Sequence, residues 1–130
     1  MEKEEVYNYV RDALVEALAV DEDEVKPEAT LMGDLGAESI DILDIVFQLE
    51  KRLGIKIERG ELVPDDIAND TQGKYVLDNK LTELGIAEIK KRMPYANVEA
   101  LEQNPMVVNI VQILTVRDLC YIVESKVNVA

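Results

Sequence analysis

Residues 34–54 read Asp34-Leu35-Gly36-Ala37-Glu38-Ser39-Ile40-Asp41-Ile42-Leu43-Asp44-Ile45-Val46-Phe47-Gln48-Leu49-Glu50-Lys51-Arg52-Leu53-Gly54. Gly33 and Gly36 keep the approach to Glu38 open, and beyond it the apolar residues recur at helical spacing. A helix is predicted from Ser39 to near Leu53, stopped by Gly54. At about 100° per residue, counting from Ile40, the side chains of Ile42, Val46, Leu49 and Leu53 gather on one side, the core face. Ile40, Asp44, Phe47 and Lys51 gather on the opposite side. Two large apolar residues, Ile40 and Phe47, are therefore predicted to face water close to Ser39.

The same stretch sets a serine hydroxyl at a helix start, with acids on both sides. A helix N-terminus presents unpaired N–H groups and the positive end of the peptide dipoles. A phosphate ester on Ser39 would be stabilised there. Serine also favours the N-cap position for its own sake, so physics alone leaves open a purely structural Ser39. Charge marks the region as well. From Pro27 to Glu50 there are six acids (Glu28, Asp34, Glu38, Asp41, Asp44 and Glu50) and no base. A solvated face and a docking surface both fit that pattern.

Working outward, Val6, Val10, Ala13, Leu14, Ala17 and Leu18 predict a helix over about 4–19. Asp21-Glu22-Asp23-Glu24 ends its apolar pattern, and Pro27 makes the next stretch a loop. Asp21 and Asp23 do not begin an EF-hand loop, because Lys26 and Met32 stand where Gly and Glu are required. At the other end, Val116, Leu119, Cys120 and Val123 form one stripe. Thr115 with Asp118 resembles a capping box, so a last helix is predicted over about 116–126. Cys120 falls on the core side and reads as buried filler rather than a reactive thiol.

The middle is less regular. A short turn of helix is expected over 63–67, an extended piece over 74–77, a helix over 82–92 and another over 98–103. Residues 106–114 are apolar and β-branched, which leaves strand and helix equally open. Lys90-Lys91-Arg92 reads as a solvated helix end, where the dipole favours cations. Tyr75, Tyr95 and Tyr121 read as packing residues rather than stacking platforms.

Composition narrows the function. The chain has 130 residues, enough for one domain, and 48% are hydrophobic, enough for a core. With 27 acids against 14 bases the net charge is −13, which argues against a nucleic-acid binder. The longest apolar run is Leu119 to Val123, too short for a membrane span. The acidic start lacks a signal peptide's apolar segment, so a cytoplasmic location is expected. There is no histidine, so imidazole relays are impossible. A single cysteine rules out an intrachain disulfide, and together these absences exclude Cys/His zinc sites. Composition points to a binding or carrier module rather than an enzyme.

The motif Leu35-Gly36-Ala37-Glu38-Ser39-Ile40-Asp41 resembles the signature of the acyl carrier proteins, where Asp-Ser-Leu after Leu-Gly-Ala opens an acidic second helix. The likeness continues through Ile42 to Glu50 and Leu53-Gly54-Ile55-Lys56-Ile57, and returns at Thr115-Val116-Arg117-Asp118-Leu119. It covers about residues 4–60 and 114–127. It implies an all-α fold: an acyl-carrier-like four-helix bundle, here one domain over 1–130 with a mostly helical insertion over about 60–114. It also implies a serine, Ser39 by position, that bears 4′-phosphopantetheine donated by coenzyme A and carries acyl groups as thioesters.

By the same resemblance, Glu38, Ile40 and Asp41 flank the attachment site and meet the modifying transferase, which uses magnesium in this family. Asp34, Asp41, Asp44 and Glu50 would meet basic patches on acyl-transferring, condensing and reducing enzymes, with Ile40 and Phe47 as apolar anchors. No metal of its own, no nucleic acid, no membrane insertion and a monomeric state are expected. Glu38 departs from the usual Asp, keeping the charge but reaching one methylene further. The insertion replaces a much shorter third-helix region. The competing reading is an unmodified acidic interaction domain of the same fold. Leu81, Leu84, Ile86, Ile89, Val107, Val108, Ile110, Val111, Ile113 and Leu114 are too apolar to leave in water. The insertion is therefore expected to fold onto the bundle in place of the third helix. There it either borders the acyl-bearing arm or forms a separate docking surface.

Overall fold

The computed structural model describes residues 2–58, 67, 69–93, 95–96 and 98–127, with the backbone alone at Ser39, Val108 and Val111. Among these, five α-helices carry the structure: α1 (Lys3–Leu18), α2 (Ser39–Leu53), α3 (Glu83–Arg92), α4 (Val98–Gln103) and α5 (Val116–Lys126). A two-stranded hairpin, β1 (Val76–Leu77) and β2 (Lys80–Leu81), precedes α3. The fold is the expected all-α one with a mostly helical insertion.

Helix α1 packs on both α2 and α5. Its apolar stripe is the reason: Val6, Val10, Ala13 and Leu14 are all fully buried. On α5 the predicted stripe holds too, with Val116, Leu119, Cys120 and Val123 buried. On α2 the core face is Ile42, Ile45 and Leu49. The wheel placed Val46 and Leu53 there, and they are only half-buried. The core face is thus rotated towards Ile45, because α1 lies on that side. Helix α2 ends at Gly54, whose φ of 66° is left-handed, as the stop signal required.

The insertion joins the same core. Leu81, Ile89, Met93, Leu101, Ile110, Ile113 and Leu114 share one apolar cluster with residues of α1, α2 and α5. At about 1.5–3 kcal/mol for each fully buried aliphatic side chain, this cluster is what holds the insertion down. Helix α3 starts at Thr82, whose hydroxyl accepts the Gly85 N–H, and ends on Lys90, Lys91 and Arg92. Residues 106–114, undecided from sequence, form 3₁₀ turns at Val107–Asn109 and Val111–Ile113. The expected turn over 63–67 lies outside the described residues apart from Ile67, which is buried.

The hairpin went unseen in the sequence beyond its first strand. Asp78 and Asn79 both have positive φ, 53° and 65°, the geometry of a two-residue hairpin turn. Strands of two residues are too short to show alternation. Asp70 anchors the approach: its carboxylate accepts N–H groups of Tyr75 (2.7 Å) and Gln72 (3.1 Å), which hold its pKa low. Tyr95 and Tyr121 do pack together, ring edge to ring face at 5.9 Å, with Arg117 over Tyr95.

One buried carboxylate ties the insertion to the last helix. Asp118, 2% exposed, accepts the Thr115 N–H (3.1 Å), the Thr115 hydroxyl (2.9 Å) and the Tyr95 N–H (3.3 Å). Burial pushes its carboxyl above the ordinary value, against the pull of those hydrogen bonds. The folded state then holds this proton more tightly than the unfolded state does. Its contribution to stability is therefore full at low pH and is lost as pH rises through the raised pKa. Asp118→Asn is expected to flatten that acid-side slope. Asp118→Ala, which strands two backbone donors, is expected to cost about 2–4 kcal/mol in urea unfolding.

Candidate attachment site at the start of the second helix

The loop before α2 is pinned from several sides. Leu31 donates its N–H to the Leu114 carbonyl at 2.9 Å, and Thr30 pairs with Thr115 across an isolated bridge. Ala37 donates back to the Leu31 carbonyl at 2.8 Å. Thr30 and Asp34 exchange two bonds: the Asp34 carboxylate accepts the Thr30 N–H, and the Thr30 hydroxyl accepts the Asp34 N–H, both at 2.9 Å. Leu31, Leu35 and Ala37 are buried beneath this turn. Gly36, at φ 73°, lets the chain bury Ala37 and then bring Glu38 out to the surface. Among the described residues no atom lies within 4 Å of where its Cβ would be, so it is the left-handed backbone conformation that calls for glycine there.

Glu38, not Ser39, takes the N-cap position. The Asp41 carboxylate accepts the Glu38 N–H at 2.8 Å, and Asp41 in turn donates its N–H to the Glu38 carbonyl at 3.0 Å. Ser39 is the first helical residue, so capping α2 does not explain why a serine stands there. Its neighbours Glu38 and Ile40 are exposed, Ile40 by 71%. A first-turn serine with exposed neighbours suits a covalently attached phosphodiester, which helix N-termini favour.

Beyond the first turn, α2 presents the expected outward face. Phe47 is 62% exposed and Asp44 is exposed. Leu43, 65% exposed, belongs with them and was missed; on the wheel it lies about 60° from Ile40, near enough to have been included. The acids divide by environment. Asp34 and Asp41 are bonded to backbone N–H groups, and half-buried Glu50 accepts the Ile57 N–H at 2.9 Å, holding the chain after α2. Asp44 has a weaker side-chain partner, Gln48, at 3.4 Å. Backbone bonding fixes where these charges sit without removing them, since a carboxylate has about four acceptor sites.

The other nucleophile is sequestered. Cys120 is buried in α5, and burial, helped by the charge of Glu124, pushes its thiol up to about 12. In folded apo protein at about pH 8 it is expected to stay silent to disulfide reagents, and to react fully once unfolded. Because the unfolded thiol ionises first, this residue's contribution to stability falls as pH rises towards that value. Among the described residues no cluster of His, Cys, Asp or Glu is arranged for a metal ion, and no helix is long and apolar enough to cross a membrane.

Residues 8–69 match the phosphopantetheine attachment site family. The acyl carrier protein of Thermotoga maritima is 40% identical over 60 residues, 46% of this chain and 74% of that protein. That of Campylobacter hominis is 44% identical over 57 residues, covering 44% and 72%. That of Karelsulcia muelleri is 35% identical over 79 residues, covering 58% and 95%. No solved structure matches the chain. A matched family defined by its attachment site, and relatives aligned over most of their own length, make this chain a member of the acyl carrier protein family: a carrier, not an enzyme, whose cofactor is covalent 4′-phosphopantetheine.

Proposed function

We propose that Ser39 bears the phosphopantetheine, and that α2 presents it to enzymes with basic docking surfaces. The observation that carries this is a choice between two serines. Ser39 opens α2 within the family match, between exposed neighbours. Ser125 lies outside the match, in the last turn of α5, where its hydroxyl donates to the Ile122 carbonyl at 2.5 Å. When attached, the group supplies a thiol at the end of a long arm, and acyl groups are held there as thioesters.

The protein's own residues supply the rest. Glu38 and Asp41 flank the serine and face the modifying transferase. Asp34, Asp44 and Glu50 extend the acidic field along the loop and α2. Ile40, Leu43 and Phe47 add apolar contact inside that field, the pairing of steering charge and buried anchor that interfaces use. The names of the relatives support an acyl cargo, and the Leu35-Gly36-Ala37-Glu38-Ser39 motif favours fatty-acid, polyketide or related lipid assembly. The reading is tested by intact mass after incubation with coenzyme A, magnesium and a broad-specificity phosphopantetheinyl transferase. One added phosphopantetheine is expected. An unchanged mass would mean an unmodified interaction domain.

A further inference from the structure

The insertion lines most of a cleft that Thr30, from the loop before α2, completes. Ala100, Asn104, Asn109, Gln112 and Ile113 come from the insertion and Thr30 from the loop, around a space of about 310 Å³. That is the size of a small-ligand site. Its chemistry is specific. Three carboxamides and a hydroxyl line it together with the apolar side chains of Ala100 and Ile113. The Asn109 amide is held in place by donating to the Asn104 carbonyl at 3.0 Å. Among the described residues no charged side chain lines the space, which disfavours an ionic ligand. Carboxamides both donate and accept, so they complement a ligand that itself carries amides.

Such a ligand is tethered nearby. Thr30 precedes Leu31, whose carbonyl accepts the Ala37 N–H, and Ala37 lies two residues before Ser39. Standard backbone dimensions then put the Cα atoms of Ser39 and Thr30 no more than about 18 Å apart. Phosphopantetheine has some thirteen bonds between phosphorus and sulfur, and extended bond geometry gives it about 16 Å of reach. Its outer half, with the second amide and the terminal thiol, is long enough to come to Thr30 at the rim of the cleft.

We propose that the cleft between the insertion and Thr30 is a resting site for the protein's own pantetheine arm, held through Asn104, Asn109 and Gln112. This rests on attachment at Ser39. It gives the insertion a task at the carrier's own cofactor, in place of a separate docking surface.

The test loads the full chain with unacylated phosphopantetheine, confirms loading by intact mass, and compares apo and holo forms by nuclear magnetic resonance. The side-chain amide signals of Asn104, Asn109 and Gln112 are expected to shift on loading. A second readout is the rate at which the arm thiol reacts with a disulfide reagent, with buried Cys120 silent. Asn104 and Gln112 are exposed, so N104A/Q112A is expected to fold. Losing two hydrogen bonds should speed the arm thiol by about fivefold or more. Loaded protein with unmoved amide signals and equal thiol rates in parent and variant would overturn the resting site and leave attachment intact. Failure to gain mass would overturn both together.

Discussion

Ser39→Ala is expected to abolish mass gain with coenzyme A and the transferase, while Ser125→Ala gains one phosphopantetheine like the parent. The effect is all-or-none because alanine has no hydroxyl to form the phosphodiester, and Ser125, the one other serine, lies outside the family match. The folding cost should be small. Glu38 and Asp41 carry the helix cap, and Ser39 lies one position inside it. A circular-dichroism melt of S39A should therefore stay close to the parent's, which separates loss of the acceptor from loss of the fold. A loaded S39A protein would move the site elsewhere.

The second large effect is expected on the exposed face of α2. Phe47→Ala removes a large apolar side chain that is 62% exposed and contributes little to the core. Stability should change by less than about 0.5 kcal/mol, while affinity for the transferase or a condensing enzyme falls about tenfold. Asp44→Lys acts differently. It reverses one charge in the six-acid stretch from Pro27 to Glu50, and should slow association more than it speeds dissociation. Exposed charges are screened over about 10 Å at 0.1 M salt, so parent and variant rates should converge as salt rises. Binding kinetics at low and high salt check this; a parent association rate indifferent to salt would remove the electrostatic half of the argument.

Much of this molecule was legible in the residues. Helices α1, α2 and α5 each carry a long apolar stripe and a clear start or stop, and they lie where those signals put them. The cap on α5 came from Thr115 and Asp118 alone. The cap on α2 did not, because a glutamate is a less usual N-cap than the serine beside it. Periodicity decides less where elements are short. The hairpin at 76–81 is carried by two left-handed turn residues, and residues 106–114 settle into 3₁₀ turns. Asp118 was read as a capping residue, but its bond to the Tyr95 N–H depends on how the insertion docks. Leu43 lies at the margin of the exposed face of α2, where periodicity separates exposed from half-buried positions least well.

The burial of Cys120 has a consequence for how long a cargo survives. A thioester is lost by hydrolysis, helped by a general base, or by exchange with a thiolate. This chain has no histidine, and its single thiol is withdrawn into α5 and raised to about 12. The carrier is thereby insulated from its own load: neither imidazole nor thiolate on the same molecule can draw the acyl group off the arm. With those two routes closed on its own chain, a loaded carrier waiting between partners behaves as a store rather than a leak.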